Sequence, residues 1–226
     1  SITIKEMCLE MQRMGAELVL IDGSLDRRAS AAPYVSEGTV LATGASLARS
    51  INGVVEKTMY LINTYSVPVV EEENIRDMAY NAIDMGKTAL IASDGSITFL
   101  ETLTSLQSGD IISGYLKEDT AFIVLSGSAT TSTVKDILLN KKGAVKIIVK
   151  DPTRIFIPAA DYHILGKMGM ELRTVEGINI IAVTVNPYSP EGYYFEPLKL
   201  LDAMRKAVPH IPVFDVIQGG KKYADG

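Results

Sequence analysis

Cysteine, tryptophan and histidine are nearly missing from this chain. Of its 226 residues one is Cys, two are His and none is Trp. The single Cys8 rules out an internal disulfide and a thiolate metal cluster, so a reducing cytoplasm is the expected setting. His163 and His210 stand alone, neither with a second ligand one helical turn away, which leaves a histidine metal centre without a basis. No stretch approaches the roughly eighteen uninterrupted apolar residues of a membrane span, and no basic start leads into an apolar secretory core. A membrane partner is therefore not expected. Runs of Lys and Arg are lacking as well. With a net charge of −5 and only "NKKGAVK" and "GGKKYADG" as basic stretches, nucleic acid is not an expected partner either. A phosphate-binding loop, G-x-x-x-x-G-K-[ST], is also absent. "GKT" at 86–88 has Asn81 where the first glycine belongs, and it lies between a helix and a strand, the reverse of the required order. Gly86 reads instead as a helix C-cap. The first residue is Ser, which fits removal of an initiator Met or an upstream region equally well.

What is present is ordinary globular material. Hydrophobic residues make up 47% and charged residues 22%, a balance that excludes disorder and leaves enough chain for one large domain or two modest ones. Strand and helix periodicities alternate, which predicts α/β with mostly parallel strands. A helix is expected over 4–14, where Ile4, Met7, Cys8, Met11 and Met14 recur at helical spacing; Cys8 reads as a small buried apolar residue there. Strands are expected at 17–22, 38–44, 178–185 and 211–216, all in one mainly parallel sheet. "ARSINGVVEKTMYLINTY" puts Ile51, Val54, Val55, Met59 and Ile62 on one face of a helix. Pro68 and an acidic cluster mark a domain boundary near residue 70. Asp94-Gly95 between two apolar runs predicts a hairpin over 88–100, outside that sheet. Residues 120–151 read as strand, helix, strand, a parallel crossover unit. Near 176 the first rhythm returns. The expected organisation is a core from 1–70 plus 176–226 with a smaller α/β domain at 71–175.

Three places could carry chemistry. "LVLIDGSLDRR" ends an apolar run in Asp22 and Gly23, followed by Arg27 and Arg28. Carboxylate plus guanidinium is what a magnesium-phosphate site uses, and Gly23 admits a ligand close to the backbone. Asp-Gly also turns easily, however, and strands leave through it for that reason alone. "LSGSATTSTVKD" crowds Ser126, Ser128, Thr130, Thr131, Ser132 and Thr133 at a strand-to-helix junction. Such a junction attracts anions, although Ser and Thr are favoured there as caps in any case. "TVNPYSPEGYYFEP" sits at the carboxyl end of a strand, where open α/β sheets bind ligands. Asn186 could read a base edge there and Tyr188, Tyr193 or Tyr194 could stack on it, or the tyrosines simply cover the sheet end. Asp22, Thr43 and Asn186 are expected at one edge of the sheet.

Taken together, "AELVLIDGSLDRR", "SEGTVLATGASLARS" and "INIIAVTVNPYSPEG…FEPLKLLDAMRKAVPHIPVFDV" occur in the order found after the phosphate loop in dethiobiotin-synthetase-like and MinD-like ATPases. More narrowly, "LIDGSLDRRASAAP" with "LATGASLARSINGVVEKT" resembles the accessory B protein encoded beside cobalamin-dependent lysine and ornithine aminomutases, a component of the aminomutase reactivase. The resemblance implies a three-layer, P-loop-type α/β fold and nucleotide-driven rescue of a mutase whose adenosylcobalamin is damaged. It implies ATP and magnesium as cofactors, Asp22 as the magnesium- or water-holding acid, and Asn186 near the base. It implies the aminomutase or another reactivase subunit as partner; a homo-oligomer is open from the sequence and is no part of the resemblance. Lacking the phosphate loop, this chain corresponds to the C-terminal part of such an ATPase and is not expected to hydrolyse ATP alone. The rival expectation is a non-catalytic α/β protein that recognises a protein partner or a small anionic ligand. An enzyme using the Ser/Thr-rich loop is a third, for which no nucleophile-base pair is in sight.

Overall fold

A computed structural model describes residues 2–23, 28–100 and 108–217. From the amino-terminal side, α1 (Ile2–Arg13) leads to a stretch without secondary structure through Gly23, then a 3-10 turn at Arg28–Ala31. β1 (Thr39–Gly44), α2 (Ile51–Tyr65), α3 (Glu73–Asp84), β2 (Thr88–Ala92), β3 (Ile97–Leu100) and α4 (Ser108–Tyr115) follow. Next come β4 (Thr120–Val124), β5 (Ala129–Thr130), α5 (Thr131–Asn140), β6 (Lys146–Val149), β7 (Ile155–Phe156), α6 (Ala159–Lys167) and β8 (Glu171–Thr174). β9 (Ile180–Asn186), α7 (Pro197–Ala207) and β10 (Val213–Asp215) complete the described elements. The chain is mixed α/β with parallel sheets. It divides into two compact units, Ser1–Tyr65 with Ile178–Gly226, and Ser66–Gly177.

In the first unit, β1, β9 and β10 form a parallel sheet in the order β1-β9-β10. Alternation along the strands turns Leu41, Val183, Val185 and Val213 to one face, where they pack on Val54 and Ile62 of α2 and Leu200, Leu201 and Met204 of α7. α7 starts with Pro197 at its first turn and ends in Arg205 and Lys206, which complement the negative end of its dipole. The opposite face carries Val40, paired with Ala182, and Phe214, paired with Thr184; they are 49% and 41% exposed. Parallel sheets are ordinarily covered on both faces. Among the described residues, this one is covered on one.

Two expectations for this unit are overturned. Residues 17–22 form no strand, so Asp22 does not end one: Leu18 and Leu20 are 75% and 85% exposed. An apolar run becomes a strand only when its N–H and C=O groups meet a neighbouring ladder, and no described strand pairs with this one. Cys8 is only half-buried, and Met7, Met11 and Met14 are exposed. The helical spacing over 4–14 is real, but spacing marks a face without supplying what covers it.

The second unit is more complete. Its five-stranded sheet has the order β3-β2-β4-β6-β8. β4, β6 and β8 are parallel, and β2 runs antiparallel to both β3 and β4. Strict alternation feeds two cores. Leu90, Ile123, Ile147 and Val149 pack with Ile112 of α4, Ile137 of α5 and Leu165 of α6. Ala89, Ile91, Phe122, Val124 and Ile148 pack with Ile75, Ala79 and Ala82 of α3. The expected hairpin is present at Asp94-Gly95: Gly95 takes φ +86°, and Asp94 Oδ1 accepts from the Ser96 amide at 2.8 Å. Gly86 ends α3 at φ +68°, its amide donating to Ile83 O at 2.9 Å, as a C-terminal glycine does.

Candidate ligand sites at the carboxyl ends of the parallel strands

In the first unit, Thr43 lies opposite Val185 and Gly44 opposite Asn186, so Thr43 and Asn186 share the carboxyl edge of β1 and β9. Gly44 is required by proximity. A Cβ at that position would stand 2.1 Å from the carbonyl oxygen of Asn186. The Thr43 hydroxyl meets that of Thr58 at 2.7 Å, and Thr58 in turn donates to Val54 O. Thr43 thus ties β1 to α2, which leaves it little freedom as a ligand contact. Asn186 is exposed, and its Oδ1 accepts from the Tyr188 amide at 3.0 Å. That bond fixes the side chain and leaves its amide nitrogen for a ligand.

The segment after Asn186 folds into a small hairpin rather than an open connection. Tyr188 bridges Tyr194, the Ser189 amide donates to Tyr193 O, and Gly192 turns the chain at φ +87°. The Tyr193 hydroxyl donates to Ala45 O and also to Ala48 O, and the Arg49 guanidinium lies 5.5 Å above its ring while pairing with Glu191 at 2.7 Å. Tyr193 therefore closes the sheet end. Tyr188 and Tyr194, with ring centroids 5.9 Å apart and both exposed, are the aromatic surface beside Asn186.

Asp22 and Gly23 are exposed and lie on no strand. The nearest atom to a Cβ at Gly23 would be Ser30 Oγ, at 3.2 Å. Arg27 lies outside the described residues, and Arg28 opens the 3-10 turn. The expected meeting of Asp22 with Thr43 and Asn186 through strand ends has lost its premise, since only the latter two end paired strands. Among the described residues no group of three or more His, Cys, Asp or Glu could hold a metal ion. A lone exposed carboxylate without amides or a lysine does not cradle a magnesium-triphosphate, so the described residues by themselves do not fit that cofactor.

In the second unit, the Ser/Thr-rich junction resolves into a cap. Thr130 is the N-cap of α5, accepting from the Thr133 amide at 3.3 Å, and Thr131 donates to Asp161 Oδ2 at 2.8 Å. Ser128 takes no part in the cap. Ser126 stands 3.4 Å from the Thr88 hydroxyl and borders a pocket of about 190 Å³ with Tyr80, Ile83, Asp84, Lys150, Arg154 and Val175. The sequence holds a signal for this that motif reading misses. Val124 and Ile148 face α3, so Ser126 and Lys150, two residues on, continue the same rows past the strand ends. Arg154 is delivered by a turn whose cap, Asp151, is buried and accepts from both the amide and the hydroxyl of Thr153.

Fold and sites together define a mixed α/β protein with two parallel-strand edges, each carrying polar side chains. Compared with protein-family models, characterised proteins and solved structures, the chain has no match. No helix among the described residues is long and apolar enough to cross a membrane.

Proposed function

We propose that this chain is the C-terminal part of a three-layer, P-loop-type accessory ATPase, with an inserted α/β domain, that reactivates a cobalamin-dependent amino-acid aminomutase. On this reading it contributes binding rather than hydrolysis. The observation that carries it is the pairing of Gly44 with Asn186 at the carboxyl edge of a parallel sheet. There Gly44 lets the backbone of β1 lie close against Asn186, an amide oriented by the Tyr188 N–H stands beside exposed Tyr188 and Tyr194, and such edges are where open α/β sheets take their ligands. The resemblance carried by residues 20–33 and 41–58 supplies the identity of the partner. Asp22 enters as the magnesium-holding acid only once a phosphate loop from a longer polypeptide places the ion.

The test compares residues 1–226 with a longer polypeptide carrying a phosphate loop. Each is mixed with a lysine or ornithine aminomutase holding damaged cofactor, and both ATP turnover and recovered mutase activity are read. Residues 1–226 alone give no turnover. The longer polypeptide restores the mutase in an ATP-dependent way; Asp22→Asn removes that activity and Asn186→Ala weakens nucleotide binding about fivefold, the loss of one hydrogen bond. Robust turnover by residues 1–226, or unchanged reactivation in both variants, overturns the reading.

One observation favours the second reading, a non-catalytic protein that recognises a protein partner. Val40 and Phe214 on the second face of the β1-β9-β10 sheet are exposed, as are Met7, Leu9, Met11, Met14, Leu18 and Leu20 near the amino terminus, and contiguous apolar surface of this kind marks protein-binding sites. A stable complex with the aminomutase that is insensitive to ATP and to Asn186→Ala would favour it.

A further inference from the structure

The Ser66–Gly177 unit holds a pocket that the reading above does not use. Its floor is the α3 side of the sheet where β4, β6 and β8 end, marked by Ser126, Lys150 and Val175. Its walls have opposite charge. Lys150 and Arg154 stand on the sheet and turn side, and Asp84 with the last turn of α3 on the other. Among the described residues the side chains of Asp84 and Arg154 make no hydrogen bond or ion pair.

Asp84 is the informative residue. A carboxylate in the last turn of a helix adds to the negative end of the dipole and opposes helix stability. α3 has no basic residue in that turn to offset it. Asp84 and Arg154 are both exposed, so the acid costs the helix little, and what bears on a ligand is its place in the lining opposite two cations. On the facing side, the buried Asp151 cap holds the turn that carries Arg154, so the guanidinium is presented from a rigid base. A simple anion would gain from Arg154 and Lys150 but would be repelled by Asp84. A ligand carrying both charges satisfies both walls. A volume of about 190 Å³ is below the ~300 Å³ at which drug-sized ligand pockets begin, a size that suits a small metabolite. Ile83, Val175 and the Tyr80 ring leave an apolar side for its remaining atoms.

We propose that this pocket binds a free α-amino acid, its carboxylate on Arg154, Lys150 and the Ser126 hydroxyl and its ammonium on Asp84. The site belongs to a different unit from Gly44 and Asn186, so it stands or falls independently of the nucleotide reading.

The test uses the full chain. Each protein-forming L-amino acid is screened at millimolar concentration by thermal shift, and those that stabilise are titrated calorimetrically. Each is compared with its deaminated acid and its decarboxylated amine. At least one amino acid binds, and removal of either charge weakens it about tenfold or more, the loss of one charge-assisted hydrogen bond. Arg154→Gln weakens binding by a similar factor with an unchanged circular dichroism spectrum. Asp84→Asn abolishes the preference for the amino acid over its deaminated acid. No binding by any amino acid, equal binding of the deaminated acid to the wild-type chain, or unchanged affinity in Arg154→Gln overturns the proposal.

Discussion

The two units use the same alternation of strand and helix and arrive at different degrees of completion. In the Ser66–Gly177 unit, consecutive residues of β4 and β6 enter two cores in turn, one under α4, α5 and α6 and one under α3. In the other unit, the same alternation in β1 and β9 fills one core under α2 and α7 and leaves Val40 and Phe214 in water. The residue types scarcely differ, since Val40-Leu41 and Ile147-Ile148 are comparable pairs. What differs, among the described residues, is whether an element stands on each side. Apolar pattern states how many faces a strand can bury, and topology decides how many it does bury.

Substitutions in each unit test that contrast, read in urea with the two units followed by separate probes. The largest effect is expected from Ile123→Ala, a fully buried side chain between β2 and β6, at about 4 kcal/mol lost from the Ser66–Gly177 unit alone. Gly44→Ala comes next. Its new Cβ meets backbone rather than a flexible side chain, so about 3 kcal/mol should be lost from the other unit. Within that unit the two sheet faces should differ: Val183→Ala costs about 2 kcal/mol, whereas Val40→Ser costs less than about 0.5 kcal/mol. Equal costs at Val40 and Val183 would mean the open face is covered after all.

The smallest effect is in the hairpin. The Ser96 hydroxyl and amide hold the Asp94 carboxyl below its ordinary value of 3.8. A depressed folded value means the stabilisation is complete above 3.8 and is lost as pH falls through the folded value. The protection factor of the Ser96 amide, its exchange relative to the intrinsic rate at the same pH, should therefore fall on acidification below that point, and Asp94→Ala should show the lowered protection at every pH.

Much of this was readable in the sequence where the signal is local and self-contained. Asp94-Gly95 needs only its two flanking runs to turn, and Gly86 needs only α3 before it; both are where their chemistry puts them. The strands at 39–44, 180–186 and 213–215 were readable because each is followed or preceded by the helix that covers it. Residues 18–21 have the same composition but no described partner strand, and composition cannot show that lack. Ser126 and Ser128 were equally attractive as anion ligands. Only the structure separates them, because the cap is made by Thr130 and the pocket by Ser126. Lys150, Arg154 and Asp84 come from three elements, so no short motif contains them, although the alternation through Ile148 already pointed Lys150 past the sheet end.

The described Ser66–Gly177 sheet has apolar cores on both faces and the β1-β9-β10 sheet on one, and the proposal that a protein partner covers the open face follows from that difference. Hydrogen exchange read by mass spectrometry, on the chain alone and with a lysine or ornithine aminomutase added, tests it most directly. In the chain alone, β4 and β6 should exchange far more slowly than β1 and β9. Adding the mutase should slow β1, β9 and residues 2–21 and leave β4 and β6 unchanged. Equal protection of β1 and β4 in the chain alone, with no change on adding the mutase, would contradict the account.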